Sequence, residues 1–244
     1  MPSLLVINPN TSRAVSALLQ SHVQQTIGKA AEVRTLTARF GAAYIASEAS
    51  YAVAQHAVLD AWAVALSKAP RPDAVLIGCF GDPGLFALRE GAGVPVGSLA
   101  QAAFAAAAAH GRFAVVTGGE RWGPMLSRLA GALGHGHTLV GIHTVVPSGA
   151  ELAADPQGAR QLLAQACQEA VQRFDAQAVV LGGAGLAGIA ADIEDALAVP
   201  LIDSVQAGAQ WALQRLHQTR DTVAGPDRFG VAWENLSWEM SALP

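Results

Sequence analysis

Cys79 is the residue of this chain whose surroundings suit it best to chemistry. It stands in Gly78-Cys79-Phe80-Gly81-Asp82-Pro83-Gly84, directly after the apolar run Ala74-Val75-Leu76-Ile77. A thiol at the end of such a run, with glycines clearing space for a ligand, can act as a base, a nucleophile or a proton donor. A second loop of similar design, Gly182-Gly183-Ala184-Gly185-Leu186-Ala187-Gly188, follows Ala178-Val179-Val180-Leu181 and begins 104 residues after the first (Gly78 to Gly182). Gly183 occupies the position that Cys79 holds in the first copy. The repeat extends further: Leu4 to Asn10 matches Phe113 to Gly119, and Val94 to Ala102 matches Val199 to Ala207 with a one-residue shift after the proline. Duplicated half-domains usually place their equivalent loops around one shared site, and here that site would hold one thiol where symmetry suggests two.

Asp82 before Pro83 reads as a helix N-cap with proline at the first helical position, which makes Asp82 structural. Cys79 would then lie just ahead of a helix N-terminus, where the dipole and free amides favour thiolate. Asn8-Pro9-Asn10-Thr11-Ser12 sits between a strand and an amphipathic helix. It reads as a turn and cap whose Asn8 side chain and free amides face a cleft and hold a carboxylate or imide oxygen. Thr117 and Gly118 are its second-lobe counterparts. Cys167 lies in the helical stretch Gln161 to Val171 and is a packing residue. His135 and His137 lack a third partner at ligand spacing, so no metal site is expected. His22, His56 and His217 fall in helical stretches as surface or packing residues, and His56 lies near Tyr44-Ile45-Ala46-Ser47, a possible mobile cover.

These loops need a scaffold. Short apolar runs (Leu4–Ile7, Val33–Leu36, Ala74–Ile77, Val94–Gly97, Phe113–Val116, His137–His143, Ala178–Leu181, Pro200–Asp203) alternate with Ala/Leu/Gln-rich stretches of helical periodicity. Continuous apolar runs of this length suit parallel strands covered on both faces. The expected fold is α/β, with two pseudo-symmetric lobes, each a roughly four-stranded parallel sheet flanked by helices, and the active site between them. The lobes are expected at 1–99 plus 206–244 and at 100–205. In such sheets ligands bind beyond the carboxyl ends of the strands, where Asn8, Cys79, Thr117 and Gly183 all fall.

Composition narrows the partners. Of the 244 residues, 52% are hydrophobic and 14% charged, which implies an extensive core. A net charge of -4 offers no basic footprint for nucleic acid. No apolar run reaches the length of a membrane span, and no basic region precedes an apolar core at the start. Two distant cysteines give no disulfide framework. A cytoplasmic protein with a small-molecule substrate is expected, and the apolar composition is compatible with a homo-oligomer. Neither GxGxxG nor GxxxxGK[ST] stands at a strand-to-helix turn, which argues against a nucleotide enzyme.

Asn-Pro-Asn-Thr-Ser near the start, Cys-Phe-Gly-Asp-Pro-Gly near residue 80 and Leu-Gly-Gly-Ala-Gly near residue 182 together resemble the hydantoin/allantoin racemases of the aspartate/glutamate racemase superfamily. The similarity reaches to about residue 216. It implies two similar α/β lobes, no cofactor, and two cysteines facing each other across the substrate's α-carbon. Carried over by position, the first is Cys79, and the second would stand at Gly183. The resemblance extends weakly to Gly41–Ser47, which brings in Tyr44 and Ser47. Asn8, Asn10, Thr11, Tyr44, Ser47, Phe80, Gly81, Thr117, Gly118, Ala184 and Gly185 are the expected substrate-binding positions. Phe86 and Trp122 are expected near the cleft.

Racemisation by two bases needs a thiolate on one face and a thiol on the other, with hydrogen-bond donors on the enolate between them. Those donors are expected from the backbone after Cys79 and Gly183, together with Asn8 and Thr117. Glycine has no proton to give. Three readings follow: a racemase weakened by, or substituted at, its second cysteine; a one-cysteine decarboxylase of arylmalonate type in mirror arrangement; or a non-catalytic binder of a small carboxylate or imide.

Overall fold

The computed structural model describes residues 1–218 and 229–243. The first sheet contains β1 (Ser3–Asn8), β2 (Glu32–Thr37), β3 (Ala74–Ile77) and β4 (Val96–Ser98), in the order β2-β1-β3-β4. The second contains β5 (Phe113–Gly118), β6 (Leu139–Val145), β7 (Ala178–Gly182) and β8 (Leu201–Asp203), in the order β6-β5-β7-β8. The second order is the first with four added to each strand number. Every pairing is parallel. The central strands β3, β5 and β7 are buried throughout, which is why their sequences are apolar without alternation.

The helices are α1 (Arg13–Ile27), α2 (Glu48–Lys68), α3 (Leu85–Gly91), α4 (Leu99–Ala108), α5 (Trp122–Ala132), α6 (Gly149–Ala154), α7 (Pro156–Phe174), α8 (Ile189–Ile193), α9 (Ser204–Gln218) and α10 (Trp238–Ser241). The alanine-rich α4 links the sheets and packs against α9 and β7, while α9 also packs on α1 and β3. Small residues permit these approaches: a Cβ at Gly208 would stand 2.8 Å from Leu99 Cδ2. Cys167 is wholly buried in α7.

Three strands begin later than the apolar runs. β4 and β8 start after Pro95 and Pro200, which have no N–H to pair. Each proline still accepts a bond through its carbonyl, Val75 N–H to Pro95 O at 2.9 Å and Val179 N–H to Pro200 O at 2.9 Å. β6 begins at Leu139, not His137, because the backbone first turns: Thr138 and Leu139 N–H both donate to His135 O. The His135 ring is edge-on to Phe104 and Phe113, with centroids 6.1 Å apart in each case.

The C-terminal helix α10 docks on α2. Arg39 Nε donates to Asp60 Oδ2 at 2.9 Å and its Nη1 to Glu239 Oε1 at 2.9 Å, while Ser237 Oγ donates to Asp60 Oδ1 at 2.9 Å. Trp238 is exposed, and Gly225-Pro226 lies outside the described residues. Among the described residues no helix is long and apolar enough to cross a membrane.

Asp60 and Glu239 are 2% and 6% exposed, and Arg39 is the shared cation. Arg39→Met leaves two carboxylates buried without it. Because Arg39 is itself partly solvated, a loss of about 2 kcal/mol is expected, less than for a fully buried pair. That corresponds to a fall of roughly 4–8 °C in the calorimetric melt. An unchanged melt contradicts the clasp.

Candidate active site

A cavity of about 90 Å³ opens beyond the carboxyl ends of β1, β3, β5 and β7. That is room for a small ligand in place of several waters. The first lobe contributes Asn10, Ser12, Val15, Ala43, Tyr44, Ile45, Gly78, Cys79 and Phe80. The second contributes Thr117, Gly118, Trp122 and Gly182 to Leu186. Among the described residues no Asp, Glu, Lys, Arg or His lines it.

Cys79 follows β3 by two residues and opens a tight turn: its carbonyl accepts Gly81 N–H at 3.1 Å and Asp82 N–H at 3.2 Å. Tyr51 Oη donates to Gly81 O at 2.9 Å and braces the turn from α2. Asp82 takes a left-handed backbone, φ 54°. It does not cap the helix that follows. That helix, α3, begins only at Leu85, with Gly84 (φ 74°) at its N-cap and no side-chain bond. The Asp82 carboxylate instead accepts Ala100 N–H at 2.9 Å and Gln101 N–H at 2.8 Å, capping α4, whose own Ser98 makes no capping bond.

The consequence for the thiol is the reverse of the sequence expectation. Cys79 is 8% exposed, and burial, with the Asp82 charge acting in the same direction, holds its pKa far above the ordinary thiol range. The helix whose dipole was expected to favour thiolate starts six residues on. Burial and the Asp82 charge both favour the neutral thiol at Cys79. Burial also pushes Asp82 up to about 6, against the opposing hydrogen bonds.

Asn10 reaches the cavity, but Asn8 does not. Asn8 is fully buried, its Nδ2 within bonding distance of Asn10 Oδ1 (2.9 Å), Ser12 O (3.1 Å) and Ser16 Oγ (2.9 Å). Ser16 in turn bonds Thr37 Oγ1 at 2.6 Å. Asn10 Oδ1 also accepts Ser12 N–H at 2.9 Å, so two donors fix the orientation of the Asn10 amide at the cavity wall. Ser12, the N-cap of α1, lines the cavity in place of the expected Thr11, whose N–H donates to Ala42 O at 3.1 Å. Ser47 lies outside as the N-cap of α2, with a capping box to Ser50. Gly81 is also outside the lining: the Trp122 ring covers it, and a Cβ there would stand 2.5 Å from Trp122 Cζ3.

In the second lobe Thr117 Oγ1 donates to Gly182 O at 2.7 Å, so the hydroxyl can only accept from a ligand and is not the enolate donor expected. The Phe80 ring crosses between the lobes to lie on Gly182. Gly183 N–H donates to Ser204 Oγ at 3.1 Å. Gly183 has φ +147°, and a Cβ built on it would stand 3.2 Å from Leu186 Cγ. This backbone suits glycine, not cysteine.

Phe86 is absent from the cavity: it is 53% exposed and borders a separate groove with His56. The expectations missed Val15, Ala43, Ile45, Gly78, Gly182 and Leu186. Ala43 and Ile45 flank the expected Tyr44, and Val15 carries no signal beyond the α1 period. Among the described residues no group of three or more His, Cys, Asp or Glu side chains is arranged to hold a metal.

Residues 4–212 match the family described as Asp/Glu/Hydantoin racemase. The chain belongs to that family. By family it is an isomerase of the racemase type. Hydantoin racemase of Paenarthrobacter aurescens is 34% identical over 214 residues, covering 86% of this chain and 89% of that protein. The solved allantoin racemase from Klebsiella pneumoniae superposes with TM-score 0.88 at 26% identity, over 99% of this chain and 100% of that one. A mutant of arylmalonate decarboxylase, with one glycine changed to cysteine and one cysteine to serine, shares the fold at TM-score 0.65 and 18% identity, over 88% and 92% of the two chains. The two four-stranded parallel sheets expected from the repeat are thus the fold of this racemase family.

The strain at Gly183 is measurable. Gly183→Ala is expected to cost about 1–2 kcal/mol, because φ +147° strains any side chain and Leu186 must yield. Gly123→Ala, in α5 with open space around it, is expected to be neutral or stabilising. Urea midpoints of the two variants test this, and equal midpoints contradict the strain.

Proposed function

We propose that the protein removes and returns the α-proton of a neutral cyclic diamide, a 5-substituted hydantoin or allantoin, from the Cys79 face alone. The observation that carries this reading is the makeup of the cavity: among the described residues, one thiol, at Cys79, and no charged side chain. In this reading the thiolate form of Cys79 takes the proton, the resulting thiol exchanges with solvent, and the proton returns to the same face. Gly183 offers nothing on the opposite face, so two-base inversion is impaired.

The neutral substrate follows from desolvation. A carboxylate or zwitterion entering a cavity without a counter-charge loses water that no ion pair replaces. Ring carbonyls suit the Asn10 amide, and ring N–H groups suit the Thr117 hydroxyl as acceptor. A neutral Cys79 also suits protonation of an enolate, as the decarboxylase reading needs. The lack of a cation among the described lining residues weighs against a malonate dianion as substrate.

The test is α-proton exchange in D2O followed by NMR, on single enantiomers of 5-substituted hydantoins and allantoin. Cys79→Ala is expected to lose roughly 100-fold or more, the usual contribution of a positioned acid–base group. With the thiol pKa raised, the thiolate fraction and the rate rise roughly tenfold per pH unit between about pH 7 and 9. Exchange that survives in Cys79→Ala overturns the reading, and so does the absence of exchange across these compounds.

A further inference from the structure

We propose that Asp82 is the positioning residue of Cys79, fixing the turn that carries the thiol against α4 and setting the thiol's reactivity through its charge. The proposal rests on Cys79 being the reactive group of the cavity, but its test reads the thiol directly and uses no substrate.

Three geometric facts support it. The Asp82 N–H closes the turn on the Cys79 carbonyl at 3.2 Å, so neither residue can shift without the other. The carboxylate is tied to two amides of α4, at 2.9 and 2.8 Å, which anchors the turn to the helix joining the two sheets. Asp82 is 2% exposed and takes a left-handed φ of 54°, which aspartate tolerates better than most side chains and which aims its carboxylate away from α3 and at α4.

The charged and titratable groups around this turn are few. Tyr51 and His56 face it from α2, and Arg89 interacts with Asp82 from α3, itself largely satisfied by Val96 O and Gln101 Oε1. Asp82 is the charged group that opposes thiolate formation at Cys79. The sign is therefore fixed. Above about pH 6 an ionised Asp82 holds the proton on Cys79, and below it that restraint disappears.

Thiol alkylation by iodoacetamide, quantified at Cys79 by mass spectrometry, reads this out. In the unaltered protein the rate should rise by less than tenfold per pH unit between about pH 5 and 7, as Asp82 ionises, and by tenfold per unit above that. Asp82→Asn should straighten the profile and raise Cys79 labelling by roughly tenfold at pH 8, while leaving it unchanged near pH 5. Asp82→Glu keeps the charge and should stay slow at pH 8. Cys167, fully buried in α7, is the internal control and should remain unlabelled. A constant tenfold slope in the unaltered protein overturns the proposal whether or not the variants fold. Equal acceleration by Asn and Glu overturns the electrostatic role and leaves only packing.

Discussion

The turn from Cys79 to Asp82 is closed by a carboxylate that simultaneously caps α4, the helix leading from the first sheet to the second. One buried side chain thus fixes the thiol relative to both halves of the molecule. Phe80 extends the same turn across the cleft onto Gly182, and Trp122 returns from α5 onto Gly81. Each contact requires a glycine beneath a ring, so the cleft closes tightly around the reactive atom. The tightness has an electrostatic cost. Burial away from water and the neighbouring Asp82 charge both favour the neutral form of the thiol.

The two halves repeat one another down to the carbonyls of Pro95 and Pro200, yet the repeat is broken where chemistry would use it. Thr117 takes the strand-end place that Asn8 has in the first lobe, but both are bonded within the scaffold. Gly183 holds a backbone that glycine accepts readily, with Leu186 packed where a side chain would begin. The second-lobe loop is therefore shaped around the glycine, and a cysteine there would need more than a change of side chain. The cavity walls come from both lobes, but its one thiol comes from the first.

Much of the fold was legible because parallel strands buried on both faces announce themselves as short apolar runs, and the internal repeat doubled the evidence. Strand starts were misplaced where proline lacks an N–H and where the backbone turns at His135. The cavity-lining members Cys79, Phe80, Asn10, Tyr44, Thr117, Gly118, Gly183, Ala184 and Gly185 were legible from strand-end position and motif together. Asn8, Thr11, Ser47 and Gly81 were misread for a common reason. Sequence reports that a polar or small residue sits in a loop at the right depth, but not which way it turns. Asn8 turns inward to orient Asn10, Ser47 caps α2, and Gly81 lies under an indole. Asp82 was misread because an Asp-Pro pair suggests a local cap, whereas its partners are 18 and 19 residues away.

Proton transfer from a single face is the central claim, and the stereochemical course of exchange tests it most directly. One enantiomer of a 5-substituted hydantoin, chosen for slow spontaneous racemisation, would be incubated in D2O with the enzyme until the α-position is fully deuterated, then resolved by chiral chromatography. The account predicts deuterated substrate of unchanged configuration, and no exchange for the opposite enantiomer. Inversion that keeps pace with deuterium uptake would mean that a second proton donor acts on the Gly183 face, and would contradict it.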